Sequence, residues 1–145
     1  MICSVRTEQV SLSDALGRIT AEDIVSSEDV PSFTRSTVDG YAVKASDTYG
    51  AGESIPALLN IKAEILMGES SDISIDSGEC ARISTGGMMP QGTDAAVMVE
   101  NTDNENNELC LVFKAVSPFE NVTRKGDDIK KDQCVVKKGT VLTSS

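Results

Sequence analysis

The chain has 145 residues and a formal net charge of −10, and it contains no histidine. This acidity argues against binding to nucleic acid or to anionic membranes, because both carry negative charge themselves. The absence of histidine excludes Ser-His-Asp and Cys-His catalysis as well as His-containing zinc sites. Any chemistry must therefore rely on carboxylates, hydroxyls, backbone amides, and Lys or Arg.

The first predicted element is a helix near residues 11–24. Ser11 and Asp14 resemble a capping box, and apolar residues recur at helical spacing as far as Ile19. Gly17 weakens this helix without forbidding it.

Strands are predicted from residue 56 onward. Ile61, Ala63, Ile65 and Met67 alternate with other residues, which is typical of a half-buried strand. The apolar runs at 95–99 and 109–116 predict two further strands, with a polar hairpin loop between them. Short strands are also expected at residues 73–75, 135–136 and 141–142. The residues alone thus predict a mainly β chain with a short helical element, of the α+β class.

The four cysteines are spread along the chain at Cys3, Cys80, Cys110 and Cys134, so no Cys-x-x-Cys metal or redox motif is present. Dispersed cysteines without a recognisable signal peptide predict a cytoplasmic protein. No apolar run approaches the roughly 20 residues that a membrane-spanning helix needs.

The first candidate functional segment covers residues 31–43 and is rich in hydroxyl groups. It contains Arg35, Ser36, Asp39 and Gly40. Asp39 could orient a water molecule, accept a substrate hydroxyl or help to hold a divalent cation, while Gly40 would allow a ligand to approach the backbone closely. The alternative is a turn in which Asp39 caps its own backbone.

The second candidate segment covers residues 82–90. Two hydroxyl residues precede Gly86 and Gly87, so consecutive backbone amides could form a concave anion-binding nest. Thr85 would add a hydroxyl donor and Arg82 a positive charge. A plain hairpin loop remains the alternative.

The third candidate segment covers residues 121–131, where basic residues surround Asp127 and Asp128. This composition suits a site that handles an anion together with a metal. It equally suits a surface turn that neutralises its own charge.

The three segments and their neighbours also match a known family in the correct order. The matching stretches are Ala15–Ile19, Ala21–Ile24, Asp29–Pro31, Ser36–Val43, Arg82–Gly86, Pro90–Ala95, Val99–Glu100, Asn121–Asp128 and Gly139–Leu142. In these stretches the chain resembles the N-terminal region of the molybdopterin molybdenumtransferases, the MoeA and gephyrin E-domain family. The Asp-Gly-Tyr-Ala block at residues 39–42 is the most specific part of the match.

The resemblance implies a homodimeric enzyme that inserts molybdenum from molybdate into adenylated molybdopterin in the presence of Mg²⁺. Asp39, Thr85 and Asp128 correspond to functional residues of the family, and Asp39 is the candidate ligand for magnesium. Because the substrates are anions, binding contacts are expected from Arg35, Ser36, Gly40, Arg82, Gly86 and Arg124.

The resemblance further implies a β-rich, substrate-facing domain at residues 27–131. The two chain ends, residues 1–26 and 132–145, would form a small flanking region involved in dimerisation. Family members continue into an α/β domain that grips the pterin, so this chain is expected to be an N-terminal fragment that is inactive alone. The alternative is a dimerising binding or scaffold module of the gephyrin type, which would not need Asp39 and Thr85 as a pair.

Overall fold

A computed structural model describes residues 6–69 and 72–144, and its architecture is mainly β, as the sequence predicts. The strands are β1 (Ile24–Val25), β2 (Arg35–Ser36), β3 (Gly40–Val43), β4 (Ala57–Ile65), β5 (Glu79–Ile83), β6 (Ala95–Met98), β7 (Thr102–Glu105), β8 (Leu109–Val112), β9 (Val122–Thr123) and β10 (Cys134–Val136). The helical elements in the described part are three short 3₁₀ turns, at Leu12–Asp14, Ala45–Thr48 and Val99–Asn101.

Six strands form one curled sheet in the order β6-β3-β5-β4-β8-β7. All neighbouring pairs are antiparallel except β4 and β5, which are parallel. β3 lies between β5 and β6, and all four of its residues are buried. The strand that leads out of Asp39 is therefore fixed on both sides.

The sheet carries an apolar cluster on each face, and a β-bulge in β4 divides its side chains between them. Before the bulge, Leu59 and Ile61 pack with Tyr41 and Val43; after it, Ile65 packs with a second set. The second cluster consists of Ala42, Ile65, Ile75, Ala81 and Ile83. The predicted alternation of buried and exposed side chains is present in β4. The extra residue at the bulge directs Ile65 to the second cluster rather than the first.

The other predicted strands are mostly present but shorter. β6 and β8 occupy the two apolar runs, and β7 takes up part of the polar stretch expected to be loop. The predicted strands at 73–75 and 141–142 are reduced to single bridges, from Ser74 to Gln91 and from Ile19 to Val141.

The helix predicted at residues 11–24 does not form. A single 3₁₀ turn ends at Asp14, and Gly17 then adopts a left-handed conformation with φ of 77°. Beyond it the Gly17 amide donates to the Leu142 carbonyl at 2.8 Å, and Ile19 bridges Val141. Pairing with the C-terminal segment thus replaces the helical hydrogen bonds that local spacing favoured.

The two chain ends continue this pairing through β1 and β10, which form a separate two-stranded sheet. The hydroxyl of Thr20 donates to the Lys137 carbonyl at 2.8 Å and strengthens the contact. The division into domains and the dimerisation role of these ends stay predictions.

Two of the cysteines, Cys80 and Cys110, are fully buried free thiols in the first apolar cluster. A hydrogen bond with Cys110, together with burial, raises the pKa of the Cys80 thiol. Burial of both side chains in the apolar cluster is typical of structural cysteines. Cys134 is free and exposed, and Cys3 lies outside the described residues.

Within residues 6–69 and 72–144, no helix is long and apolar enough to cross a bilayer.

Candidate functional site

A ladder of chain segments brings the three candidate segments together. β2 pairs with β9 in antiparallel register, with Arg35 opposite Thr123 and Ser36 opposite Val122. The other edge of β2 contacts the Gly86–Gly87 turn, and Arg35 bridges Met88. Two-residue β2 is therefore the element through which all three segments meet.

Asp39 and Thr85 lie side by side at one end of this ladder. The Thr85 amide donates a hydrogen bond of 2.7 Å to Asp39 Oδ1, and both side chains are exposed. Among the described residues, none hydrogen-bonds to Asp39 Oδ2 or to the Thr85 hydroxyl. Asp39 Oδ2 and the Thr85 hydroxyl are thus exposed to solvent on two chain segments that this hydrogen bond joins.

The Gly86–Gly87 turn does not form the expected amide nest. The Gly86 amide donates to the Ser36 carbonyl at 2.9 Å, and the Gly87 amide donates to the Ser84 carbonyl at 2.8 Å. With the Thr85 amide on Asp39, three consecutive amides already donate hydrogen bonds inside the protein, and anion binding at Gly86 stays a prediction. The glycines instead allow the turn to fold tightly back against β2.

Gly87 shows why that tight turn needs glycine. A Cβ added there would lie 2.8 Å from Ile83 Cγ1 and 2.9 Å from the Ser84 carbonyl oxygen.

The three predicted arginines differ in what they contact. Arg82 pairs with Glu64 at 3.7 Å, and Arg124 pairs with Asp127 at 3.3 Å while stacking on the Phe119 ring. Arg35 is exposed and makes no ion pair with any described residue. Among these three arginines, Arg35 is therefore the cation best placed to receive an anion beside the turn.

Arg82 lies on a different surface of the sheet. Together with Tyr41, Lys62, Glu64 and Asn107 it lines an open cavity of about 300 Å³. Its guanidinium is already shared with Glu64, so this cavity presents mixed rather than positive charge.

Asp127 and Asp128 have separate roles in the third segment. Asp127 Oδ2 accepts the Arg124 amide at 2.7 Å and closes the turn, whereas the Asp128 carboxylate is exposed. The Asp128 amide donates to the Val30 carbonyl at 3.0 Å. Asp128 therefore lies where residues 29–31 meet residues 126–129, whereas Asp39 follows the opposite end of β2.

Ser36 and Gly40 are both buried, in contrast to the direct ligand contact expected of them. The Ser36 hydroxyl contacts the backbone of Val38 at 2.7 and 3.2 Å. At Gly40 the space for a Cβ is filled by the carbonyl of Val97. These contacts fit a structural role for both residues better than ligand binding.

Sequence reasoning missed two further residues at the site. Met67 is largely exposed, and its sulfur would lie 3.3 Å from a Cβ added at Gly86, so it covers the outer side of the turn. Asp29 accepts the Lys131 amide at 2.9 Å and pairs with Lys125 at 3.4 Å. The sequence signal that could have identified Asp29 is its position directly before Val30-Pro31, where the chain enters the ladder.

Asp29 gives the site a predictable response to acid. The hydrogen bond from the Lys131 amide holds the pKa of Asp29 below its ordinary value of 3.8, with support from Lys125. A lowered pKa in the folded state contributes stability above pH 3.8 that is lost as pH falls through the lowered value. We expect Asp29→Asn to lower the urea midpoint at pH 7. We also expect the midpoint of this variant to fall less steeply than that of the parent protein as the pH is lowered. A midpoint that falls as steeply in this variant as in the parent protein would contradict the expectation; Asp103→Asn, on the exposed hairpin, is the control.

The described residues contain no cluster of side chains with the composition of a metal site. No group of three or more Cys, Asp or Glu side chains in that part of the chain could hold a metal. Magnesium commonly takes only one or two protein carboxylates and completes its shell with water and substrate phosphate. A single exposed carboxylate such as Asp39 is compatible with that pattern, and magnesium binding at Asp39 stays a prediction.

A known protein family matches the chain along its whole length. The whole chain, residues 1–145, matches the MoeA N-terminal region, described as domain I and II. The chain belongs to this family.

Its similarity to curated family members is spread along almost the whole chain. It is 36% identical to the molybdopterin molybdenumtransferase of Bacillus subtilis, with 94% of this chain and 33% of that protein covered. It is 37% identical to the molybdopterin molybdenumtransferase of Staphylococcus aureus, with 92% and 32% covered. The chain therefore spans about a third of the length of the curated relatives it matches.

The fold agrees with that of a solved relative. The crystal structure of a molybdopterin biosynthesis MoeA protein from Pyrococcus horikoshii superposes with a TM-score of 0.84 at 43% identity. The superposition covers 94% of this MoeA N-terminal chain and 34% of the relative. The mainly β architecture predicted from the sequence is confirmed.

Proposed function

We propose that this MoeA N-terminal region supplies half of the active site of a molybdenum insertase in molybdenum cofactor synthesis. The whole protein would transfer molybdenum from molybdate into adenylated molybdopterin and release AMP. The observation that carries the proposal is the exposed pair formed by Asp39 and Thr85, joined by the 2.7 Å hydrogen bond from the Thr85 amide. Its support from relatives is that several are named molybdopterin molybdenumtransferase.

The chemistry of the pair suits this reaction. Thr85 offers a hydroxyl donor to an oxyanion, and Arg35, which bridges Met88 just after the glycine turn, offers a positive charge. Asp39 would repel an oxyanion unless a proton or a cation lies between them. Its role is therefore to hold that proton, or to act as one ligand of Mg²⁺, which when bound would neutralise substrate phosphate charge.

The remaining features of the assembly belong to the same proposal. The protein acts as a homodimer in the cytoplasm, and this region faces the pterin-binding domain of the second subunit. The exposed apolar residues of the paired chain ends, among them Ile24, Val25 and Val135, suit a surface that is covered in such an assembly.

Complementation tests the proposal directly. The gene that encodes this chain is expressed in a bacterium that lacks its own molybdopterin molybdenumtransferase, and the activity of a molybdenum-dependent enzyme is measured. We expect restored activity from the natural polypeptide and none from residues 1–145 expressed alone. Failure of the natural polypeptide, although it is soluble and folded, would favour the scaffold function instead.

A further inference from the structure

Ser36 occupies the point where the Asp39 segment, the glycine turn and β9 meet. It is only 1% exposed. Its amide donates to the Gly87 carbonyl at 3.0 Å, and its carbonyl accepts the Gly86 amide at 2.9 Å. The backbone of Ser36 therefore fixes the position of the turn that carries Thr85.

The hydroxyl of Ser36 acts on the other side of the site. It donates to the Val38 carbonyl at 2.7 Å and accepts the Val38 amide at 3.2 Å. This local pairing is a hydroxyl-closed turn, which sets the direction in which the chain leaves residue 38. The next residue along the chain is Asp39.

A closed loop of contacts follows from these bonds. From Ser36 one path runs through Val38 to Asp39, and a second runs through Gly86 to Thr85. The two paths meet again at the hydrogen bond between the Thr85 amide and Asp39 Oδ1. Within the described residues, Ser36 is the side chain whose hydroxyl closes the first path.

We propose that Ser36 is a positioning residue, which holds the Asp39 carboxylate against the Thr85 amide without itself contacting the ligand. Its burial supports this role, since both hydrogen-bonding directions of the hydroxyl are already used inside the protein. The proposal deepens the proposed function, because it concerns the geometry of the same pair. Its structural part concerns the isolated fold and can be measured without activity.

The chain offers a matched control in Thr48. The Thr48 hydroxyl is also buried, donates to the Ala45 carbonyl at 2.8 Å and accepts the Val116 amide at 3.0 Å. It thus makes one donated and one accepted backbone bond, as Ser36 does, but with segments that do not carry the site. Ser36→Ala and Thr48→Val each remove one such hydroxyl.

Hydrogen exchange of the Thr85 amide, followed by NMR in residues 1–145 or in the natural polypeptide, distinguishes the two variants. We expect Ser36→Ala to speed exchange of the Thr85 amide by about five- to tenfold, which corresponds to the loss of one hydrogen bond. This increase is measured relative to any change in core amides such as that of Ala81. Thr48→Val should leave the ratio of Thr85 to core exchange unchanged. Equal ratios in the two variants would overturn the proposal.

A second variant, Ser36→Cys, tests the proposal in case Ser36→Ala does not fold. Ser36→Cys keeps a small side chain with a weaker donor, so we expect exchange at Thr85 between that of the parent protein and that of Ser36→Ala. If Ser36→Ala does not fold, the Ser36→Cys variant decides. Exchange of the Thr85 amide that is as slow in Ser36→Cys as in the parent protein would overturn the proposal.

Kinetics of molybdenum insertion separate this inference from the proposed function. In the natural polypeptide we expect Ser36→Ala to lower kcat about tenfold or more while KM for adenylated molybdopterin changes by less than about twofold. An unchanged kcat with a disturbed Thr85 amide would show that the positioning is real but that the pair is not used in catalysis. That outcome overturns the kinetic role of Ser36, and the complementation result alone decides the proposed function.

Discussion

Replacing Gly40 with alanine is expected to destabilise this MoeA N-terminal region by more than about 3 kcal/mol, at or above the upper end of ordinary overpacking. A Cβ at this position would lie 1.8 Å from the Val97 carbonyl oxygen and 3.0 Å from the Val99 amide nitrogen. Both atoms are backbone, so no side-chain rotation can relieve the clash. β3 would have to separate from β6, and the Val99 amide would lose its 2.9 Å bond to the Asp39 carbonyl.

Urea denaturation measures this effect, and Gly52 provides the matched control. A Cβ at Gly52 would meet no atom within 4 Å, and its φ is not left-handed. We expect Gly52→Ala to stay within about 1 kcal/mol of the parent protein, with stabilisation as the favoured direction. Equal midpoints for Gly40→Ala and Gly52→Ala would show that β3 and β6 can separate without cost.

Gly40 also shows where sequence reasoning stops. An Asp-Gly pair in a hydroxyl-rich loop predicts a turn that a ligand can approach, but in the fold the neighbour at Gly40 is a strand. Ligand approach and strand approach both require the absence of a Cβ, and the residue itself does not distinguish them. The sequence likewise does not reveal that the Gly86 amide donates to the Ser36 carbonyl inside the protein.

Elements that depend on local composition were predicted well. β6 and β8 lie in continuous apolar runs, and β4 lies in an alternating stretch, so each strand was visible from its own residues. The helix at 11–24 failed because partners more than a hundred residues away, such as Leu142 for Gly17, supply its hydrogen bonds. No local pattern carries that information.

The candidate site was predictable in part for the same reason. The residue types and the family blocks identified Asp39 and Thr85, and the structure brings them into contact. The burial of Ser36 and the pairing of Arg82 with Glu64 depend on strand register, which a sequence without its fold does not reveal.

Asp39→Asn is expected to lower the rate of molybdenum insertion by roughly 10²-fold or more, the range for loss of a group that moves or holds a proton. The fold should be retained, because the asparagine oxygen can still accept the Thr85 amide and the side chain is exposed. The change therefore removes the charge while keeping the shape. AMP release by the natural polypeptide, with the urea midpoint measured in parallel, gives the rate and the stability of each variant.

Two further variants define what the carboxylate does. Asp103→Asn removes an exposed carboxylate on the β7–β8 hairpin and should leave the rate unchanged. Thr85→Val keeps the hydrogen bond from the residue 85 amide to Asp39 but removes the hydroxyl. A lower rate in this variant therefore measures the contribution of the hydroxyl alone. If Asp39 and Thr85 act on one substrate group, their effects on the rate are not independent. The rate of the double variant will then fall by a smaller factor than the product of the factors for the two single variants. Near-normal turnover by a folded Asp39→Asn protein would contradict the catalytic role and leave the exposed pair as a binding surface.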